Sequence, residues 1–316
     1  MRDTGDVLPL LRERVTGSVH ADARLDAYTT FRVGGPVDVL VEAETPDDLA
    51  AVAELCAGEV PIAIVGRGSN MLVSDEGFRG VVVRLGRGFR DHEPVGPDSI
   101  RFGGAVHLPA GARLTARLGL TGFEFAAEIP ATFGGAVRMN AGAHGRSMSD
   151  VLVWADTVDL TSGQRARLSV EELGFGYRHS TLAPSHVVVA GEVRLEPGDP
   201  AEVAGRISTY LRWRREHQPP GRSAGSVFKN PPGDSAGRLI EAAGLKGARA
   251  GGAEVSSVHA NFIVAGRDAT AADVWTLVVR AQREVRARFG VELEPEVRFL
   301  GEFPEVRTEV EGEVEG

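Results

Sequence analysis

The sequence holds one cysteine, two lysines and four asparagines among its 316 residues, and each shortage limits what the protein can be. A single thiol, Cys56, excludes an internal disulfide and a thiolate metal cluster, and it is typical of a reducing compartment such as the cytoplasm. The N-terminal apolar stretch is too short and too interrupted for a signal peptide. No apolar run reaches the roughly 18 residues of a membrane span. We therefore expect a cytoplasmic protein that does not enter a membrane.

Net charge and histidine spacing exclude two further classes. The formal net charge is −9, which argues against a nucleic-acid binder. The eight histidines show no metal-ligand spacing, so the sequence predicts no metal site. Cys56 lies on the apolar side of a predicted helix, which favours a place in the core.

The scarcity of lysine and asparagine draws attention to the few that remain. The two lysines are Lys229 and Lys246, against 33 arginines, a bias typical of a GC-rich genome. The four asparagines are Asn70, Asn140, Asn230 and Asn261. We treat most of these side chains as candidates for a functional site.

Hydrophobic periodicity and breakers predict several domains. An α/β pattern runs to about residue 197, and Thr45 followed by Pro46 marks a helix start within it. A smaller α+β pattern follows, with a capping box at Thr270 and a helix that Gly290 closes. The predicted division is an N-terminal extension (1–27), a two-lobed region (28–197, with lobes of about 28–93 and 94–197), a C-terminal domain (202–301) and an acidic tail (302–316).

A glycine-rich loop follows the predicted strand at 60–66. Its sequence, Gly66-Arg67-Gly68-Ser69-Asn70, offers successive backbone N–H groups that a phosphate can approach closely. It lacks both the third glycine of a dinucleotide fingerprint and the lysine of a P-loop. The loop alone is therefore compatible with a tight turn as well as with phosphate binding.

A second small-residue stretch runs from 122 to 145 and reads GFEFAAEIPATFGGAVRMNAGAHG. It is rich in glycine and alanine, and its interleaved apolar residues indicate burial. Small side chains there would let a large planar ligand lie against the backbone. The alternative is a glycine-rich surface loop.

These segments and several later motifs resemble the UDP-N-acetylenolpyruvoylglucosamine reductase family. The motifs GRGSN, EIPATFGGAVRMNAGA, FGYRHS, GSVFKNPPG, AGRLIEAAGLKG, HANFIVAG and LEPEVRFLGE occur in the family's order, over about residues 28–301. Ala131 and Ala265 stand where the family usually has glycine and asparagine. The short path from FGYRHS to the strand at 186–195 is similar to the family's second type, which lacks an inserted loop over the substrate.

The resemblance implies an α+β fold, with a two-lobed FAD-binding region of the vanillyl-alcohol oxidase (PCMH-type) superfamily and a smaller substrate-binding domain. It implies non-covalent FAD, because Asn70 is neither histidine nor cysteine. The Gly66–Asn70 backbone would hold the pyrophosphate, and the 128–142 stretch would line the flavin ring and its ribityl chain. The residues implied in cofactor binding are Gly66, Arg67, Gly68, Ser69, Asn70, Glu128, Ile129, Pro130, Thr132, Gly134, Gly135, Asn140, Ala141 and Gly142.

The implied reaction transfers a hydride from NADPH through FAD to the enolpyruvyl double bond of a nucleotide sugar. It is a step of peptidoglycan precursor synthesis, and the family's activity is also called UDP-N-acetylmuramate dehydrogenase. Ser226, in SAGSVFKNPPG, would then donate a proton, which explains a serine without a histidine base beside it. Arg178 would stabilise the substrate carboxylate, and Glu296 would hydrogen-bond it as a neutral acid. The substrate contacts implied are Tyr177, Arg214, Lys229, Asn230, His259 and Asn261.

Two other functions stay open at this point. One is an FAD-dependent alcohol or sugar oxidase of the same fold, which has no need of Ser226 and Lys229 in one loop. The other is a non-catalytic protein that binds flavin or a nucleotide sugar. On the family reading, the partner is a small nucleotide sugar and the protein is a monomer.

Overall fold

Two open sheets and a smaller three-stranded sheet organise the chain, in a computed structural model that describes residues 3–304. Most of the predicted acidic tail, from residue 305 onward, lies outside the described residues. Within the described range, no helix combines the length and apolar character that crossing a membrane requires.

The first lobe is a four-stranded sheet covered by two helices. Its elements are α1 (Thr4–Arg14), β1 (Ser18–Arg24), β2 (Pro36–Ala43), α2 (Pro46–Cys56), β3 (Ile62–Ile64), β4 (Met71–Val73) and β5 (Phe78–Leu85). The sheet order is β1-β2-β5-β3, with β2 and β3 each parallel to β5. Apolar residues of α1 and α2 bury one face of this sheet. Residues 4–24, predicted as an extension, are therefore part of the lobe.

Local signals in this lobe act as predicted. Thr45 accepts a hydrogen bond from the Asp48 N–H group, 3.1 Å away, and Asp48 completes the capping box of α2. Cys56 is fully buried in the core between α2 and the sheet, and this burial raises the pKa of its thiol to about 11. The predicted core position of Cys56 is confirmed.

The second lobe is a five-stranded antiparallel sheet with helices on one face. Its elements are β6 (His92–Pro94), β7 (Ser99–Gly103), α3 (Leu108–Arg117), β8 (Leu120–Thr121), α4 (Phe133–Arg138), β9 (Gly142–Ala143), β10 (Arg146–Ser147), β11 (Leu152–Asp159), β12 (Arg165–Ser169), β13 (His186–Arg194) and β14 (Glu196–Pro197). The sheet order is β12-β11-β13-β7-β6, so the hairpin predicted for β11 and β12 forms. Stacked and tilted rings of Phe102, Phe123 and Phe133 lie in its core.

The C-terminal part adds helices to a three-stranded sheet. Its elements are α5 (Pro200–His217), α6 (Ala236–Ala242), β15 (Arg249–Ala250), β16 (Ala253–Val255), β17 (Ile263–Ala265), α7 (Ala271–Phe289) and β18 (Arg298–Leu300). Helix α7 begins after the capping box at Thr270 and ends at Gly290, which has a left-handed conformation, as predicted.

Helix α5 packs against the second lobe. Val203 and Ile207 are buried in that lobe's core, and Arg206 forms an ion pair with the buried Glu124 at 2.9 Å. The sequence places residues 202–217 in the C-terminal domain. In the structure the helix instead carries its last turns to the boundary between the two parts.

Strand β18 joins the C-terminal part to the first lobe. It pairs in parallel with β4, with Arg298 opposite Met71. Asp75, just after β4, accepts hydrogen bonds from the N–H groups of Ala271 and Ala272 at the start of α7. These contacts bring the segment before β18, which carries Glu296, next to the glycine loop before β4.

Candidate active site

A cavity of about 1210 Å³ lies where the two lobes and the C-terminal part meet. Both glycine-rich segments line it, together with Ser226, Arg178 and Glu296. Segments as far apart in the sequence as Asn70 and Glu296, which are 226 residues apart, therefore share one wall.

The loop Gly66–Asn70 lines the cavity between β3 and β4. Gly68 has φ +58°, and a Cβ atom there would lie 2.3 Å from the Tyr28 carbonyl oxygen. The carbonyl of Gly68 also accepts a hydrogen bond from the Thr30 N–H group at 3.2 Å. Only glycine fits this position, because both the backbone conformation and the space exclude a side chain.

The second segment approaches the sheet just as closely. Thr132 caps α4 by accepting a hydrogen bond from the Gly135 N–H group at 3.3 Å. A Cβ atom on Gly134 would lie 2.7 Å from the carbonyl oxygen of Val188 on β13. The short helix thus lies directly against the strand, and its first turn faces the cavity.

Unpaired buried atoms mark the wall as a ligand site. In the described part of the chain, four buried side-chain polar atoms have no hydrogen-bond partner, and all four belong to residues that line this cavity: Arg84 Nε, His107 Nε2, Glu128 Oε2 and His186 Nδ1. Buried polar atoms almost always have partners, so a polar ligand is expected to supply them.

The charge of the wall fits a strongly anionic ligand. Among the described residues that line the cavity, eight are arginines and two are carboxylic acids. The arginines are Arg67, Arg84, Arg90, Arg117, Arg138, Arg178, Arg214 and Arg298. The loop at 66–70 and the segment at 128–142 are called the two glycine cradles below. Together with these cradles and the unpaired atoms, the arginines fit FAD with its pyrophosphate and leave cations for a second anion.

Arg178 and Glu296 form an ion pair inside the cavity. Nε of Arg178 donates to Oε1 of Glu296 at 2.9 Å, and Nη2 donates to the Gly142 carbonyl at 2.9 Å. Arg178 has φ +53° in a tight turn. Burial raises the pKa of Glu296, although the Arg178 guanidinium opposes this shift. The carboxyl group therefore keeps its proton to a higher pH than an exposed glutamate does.

Ser226 lies beside this pair. The carbonyl of its neighbour Val227 accepts a hydrogen bond from the Glu296 N–H group at 2.8 Å, so the two segments run together. Ser226 lines the cavity, and its hydroxyl takes part in no side-chain hydrogen bond among the described residues. It can donate a proton into the cavity without breaking a protein contact.

Two asparagines hold the backbone around these side chains. Asn70 lines the cavity and donates from Nδ2 to the Glu296 carbonyl at 3.0 Å. Asn140, predicted as a cofactor contact, lies outside the cavity lining. It donates to the Gly176 carbonyl at 3.0 Å and accepts from the Ser149 N–H group at 2.9 Å, so it orders the turn that carries Arg178.

The other two asparagines also bond to backbone. Oδ1 of Asn261 accepts from the Phe228 N–H group at 3.0 Å, and its Nδ2 donates to the Phe228 carbonyl at 2.8 Å. Asn230 accepts from the Ala236 N–H group at 3.1 Å. Both lie outside the cavity lining. The structure brings them near the Ser226 loop as supports for its backbone.

The remaining substrate candidates divide between the wall and its surroundings. Arg214 lines the cavity, and burial lowers its pKa while the Glu128 carboxylate opposes the shift. Lys229 forms an ion pair with Glu294, and His259 accepts a hydrogen bond from the Asn261 N–H group. Tyr177 is 57% exposed. These three lie outside the cavity lining.

Thus most predicted site residues lie on one wall. Besides the two glycine cradles, the lining includes the predicted residues Ser226, Arg178, Glu296, Glu128, Ile129, Pro130, Ala141, Gly142 and Arg214. Ala131, which replaces the family's usual glycine, also lines the cavity and packs against the core of the second lobe. No group of three potential metal-ligating side chains occurs in the described part of the chain.

Sequence reasoning missed several residues of the wall, including His144, Trp213 and Arg298. Arg298 follows Glu296 by two residues, at the start of β18, so the motif that predicted Glu296 also contained it. Trp213 precedes Arg214 on α5. Its position next to a candidate substrate-binding arginine was the one feature of the sequence that could have marked it as a site residue. The position of His144 depends on a tertiary contact with α5.

Replacing Gly68 with alanine is expected to impair flavin retention. A left-handed non-glycine residue costs about 1–2 kcal/mol, and Gly233→Ala should show this cost alone, because Gly233 has φ +77° and no neighbour within 4 Å of the place that a Cβ atom would take. Gly68→Ala adds the collision with Tyr28. Its free energy of unfolding should fall further, and the purified protein should show less flavin absorbance per chain. Equal flavin content in the two variants would contradict the role of the loop.

Comparisons with known proteins cover nearly the whole chain. Residues 37–169 match a family model described as FAD binding domain. Residues 216–300 match one described as UDP-N-acetylenolpyruvoylglucosamine reductase, C-terminal domain. A UDP-N-acetylenolpyruvoylglucosamine reductase of Rubrobacter xylanophilus is 45% identical, over 92% of this chain and 98% of that protein. Reductase 2 of Symbiobacterium thermophilum is 46% identical, over 92% and 95%.

A solved structure supports the same relationship. The crystal structure of UDP-N-acetylenolpyruvylglucosamine reductase (MurB) from Thermus caldophilus has a TM-score of 0.78 and 38% sequence identity, and it covers 90% of this chain and 99% of that one. The predicted α+β class is confirmed: an FAD-binding domain precedes a smaller C-terminal domain of the reductase family.

Proposed function

The chain belongs to the UDP-N-acetylenolpyruvoylglucosamine reductase family, and from this membership we propose that it reduces UDP-N-acetylglucosamine enolpyruvate to UDP-N-acetylmuramate with NADPH. The observation that carries the proposal is the shared wall of one arginine-rich cavity. It presents two glycine cradles suited to FAD and, beside them, Ser226, Arg178 and Glu296.

The residues have separate tasks in this reaction. FAD, when bound, supplies the hydride chemistry, and the cradles at 66–70 and 128–142 would hold it. Arg178 presents a planar fork to the substrate carboxylate, where negative charge develops after hydride addition. Ser226 donates its hydroxyl proton to the carbon that becomes basic. Burial raises the pKa of Glu296, and in its protonated form this side chain donates a hydrogen bond to the substrate carboxylate.

The setting of the reaction is part of the proposal. A nucleotide sugar is the partner, and NADPH is the hydride donor. The single, buried cysteine suits a reducing cytoplasm. We propose that the enzyme works there as a monomer in peptidoglycan synthesis.

An anaerobic titration tests the function directly. NADPH should bleach the flavin absorbance of the purified protein, and UDP-N-acetylglucosamine enolpyruvate should restore it without oxygen. Rapid reoxidation by air with no response to the enolpyruvyl nucleotide would favour an oxidase of the same fold. A yellow protein that NADPH never bleaches would indicate a binding protein.

The Glu296 role predicts a pH dependence confined to the second half-reaction. As pH rises through its raised pKa, Glu296 loses the proton with which it bonds the substrate carboxylate, so reoxidation by substrate should slow. Glu296→Gln stays neutral and should flatten this decline. The measurement is the reoxidation rate against pH in single-turnover experiments. Glu292→Gln is the control, because Glu292 is exposed, pairs with Arg286 and lies outside the cavity lining. An unchanged decline in Glu296→Gln would remove the acid role.

A further inference from the structure

The last turns of α5 present a set of stacked rings at the cavity. Tyr210, Trp213 and His217 lie on one face of the helix by their spacing of three and four residues. The rings of Trp213 and His217 are 4.6 Å apart and nearly parallel. His144, from the turn between β9 and β10, stacks on Tyr210 at 3.8 Å and meets the edge of Trp213 at 5.3 Å.

This aromatic set belongs to the catalytic cavity. Trp213, His144, Arg214 and Gln218 all line it. Gly142, whose carbonyl accepts from Arg178, is two residues before His144, so the set continues the wall that holds the catalytic ion pair. Trp213 is 43% exposed, and His217 covers one face of its ring. A large aromatic surface is thus left open at the rim.

Other contacts hold the rings in place before any ligand arrives. His144 Nε2 lies 3.0 Å from Oε1 of the buried Glu128. His217 Nδ1 lies 2.8 Å from the Trp213 carbonyl oxygen. Because the rings are already ordered, stacking on Trp213 loses little conformational entropy.

We propose that Trp213 is the stacking platform for the uracil base of the nucleotide sugar, with Arg214 beside it for the diphosphate. The inference rests on the proposed function, which places an enolpyruvyl carboxylate at Arg178. Such a substrate has a carboxylate at one end, a diphosphate between and a base at the other end. The cavity supplies a matching set: the guanidinium of Arg178, that of Arg214, and an aromatic face at the rim.

The binding test uses the FAD-loaded protein with UDP and UDP-N-acetylglucosamine as probes. Removal of a base-stacking aromatic ring typically costs enough to weaken affinity about tenfold. We expect Trp213→Ala to raise the Kd for both probes by about that factor, and Trp213→Phe to restore most of the affinity. Titration calorimetry measures both.

Trp275→Phe is the matched control, because Trp275 packs on Phe299 and Phe303 outside the cavity lining. Tryptophan fluorescence should respond to UDP in the wild type and in Trp275→Phe, and should lose most of that response in Trp213→Phe. The bleaching rate with NADPH should be the same in Trp275→Phe as in the wild type, because Trp275 lies outside the cavity lining.

Two results would overturn the stacking role. Unchanged Kd values in a folded Trp213→Ala variant would show that the base does not stack there. A selective loss of NADPH affinity with normal UDP binding would assign the ring to the other nucleotide. Failure of the proposed function would give a different result. The wild-type protein would be bleached by NADPH but would not respond to the enolpyruvyl nucleotide, and the Trp213 variants would behave in the same way.

Discussion

Ser226→Ala is expected to leave the reduction of bound FAD by NADPH near its normal rate and to slow reoxidation by the enolpyruvyl nucleotide by about 10²–10⁴-fold. The proton is needed only after the hydride has reached the substrate, so only the second half-reaction depends on the hydroxyl. The Ser226 hydroxyl has no other hydrogen-bond partner among the described residues, so its removal breaks no protein contact. Anaerobic stopped-flow absorbance measures both half-reactions.

The controls separate proton donation from loop structure. Ser223→Ala changes a half-buried serine of the same loop that does not line the cavity, and it should behave like wild type in both half-reactions. Ser226→Cys keeps an ionisable hydrogen and should retain part of the second rate. Equal losses in both half-reactions of Ser226→Ala would show that Ser226 is not the donor.

Arg178→Lys is expected to lower the rate of the second half-reaction by about 10²–10³-fold although it keeps a positive charge. The guanidinium donates from Nε to Glu296 and from Nη2 to the Gly142 carbonyl, and Arg178 lines the cavity. A lysine ammonium is a point charge and cannot make these contacts together. The reaction should be followed as product formed in a single turnover.

Arg249→Lys is the matched control, since Arg249 is exposed and pairs with Glu254 outside the cavity lining. Arg178→Ala adds a chemical test, because free guanidinium ion in the buffer should restore part of its rate if the fork acts on the substrate. Wild-type rates in Arg178→Lys would show that charge alone suffices. A loss of NADPH-driven bleaching of the same size would point to a damaged flavin site instead.

The four asparagines show where prediction from sequence reached its limit. Their scarcity and the motifs predicted all four as ligand contacts, but only Asn70 lines the cavity. Their side chains, however, bond to backbone at Glu296, Gly176, Phe228 and Ala236. An amide offers a donor and an acceptor that serve a ligand or a backbone equally well. Only the folded neighbourhood decides between these uses.

The sequence by itself determined the local elements and the chemistry available. The caps at Thr45 and Thr270 follow from interactions between residues three positions apart. The tertiary structure alone decided which distant segments share the cavity. The hydrogen bond between Asn70 and Glu296, the turn of α5 toward His144 and the pairing of β18 with β4 join residues far apart in the chain. Such contacts depend on the packing of whole surfaces, which no short motif encodes.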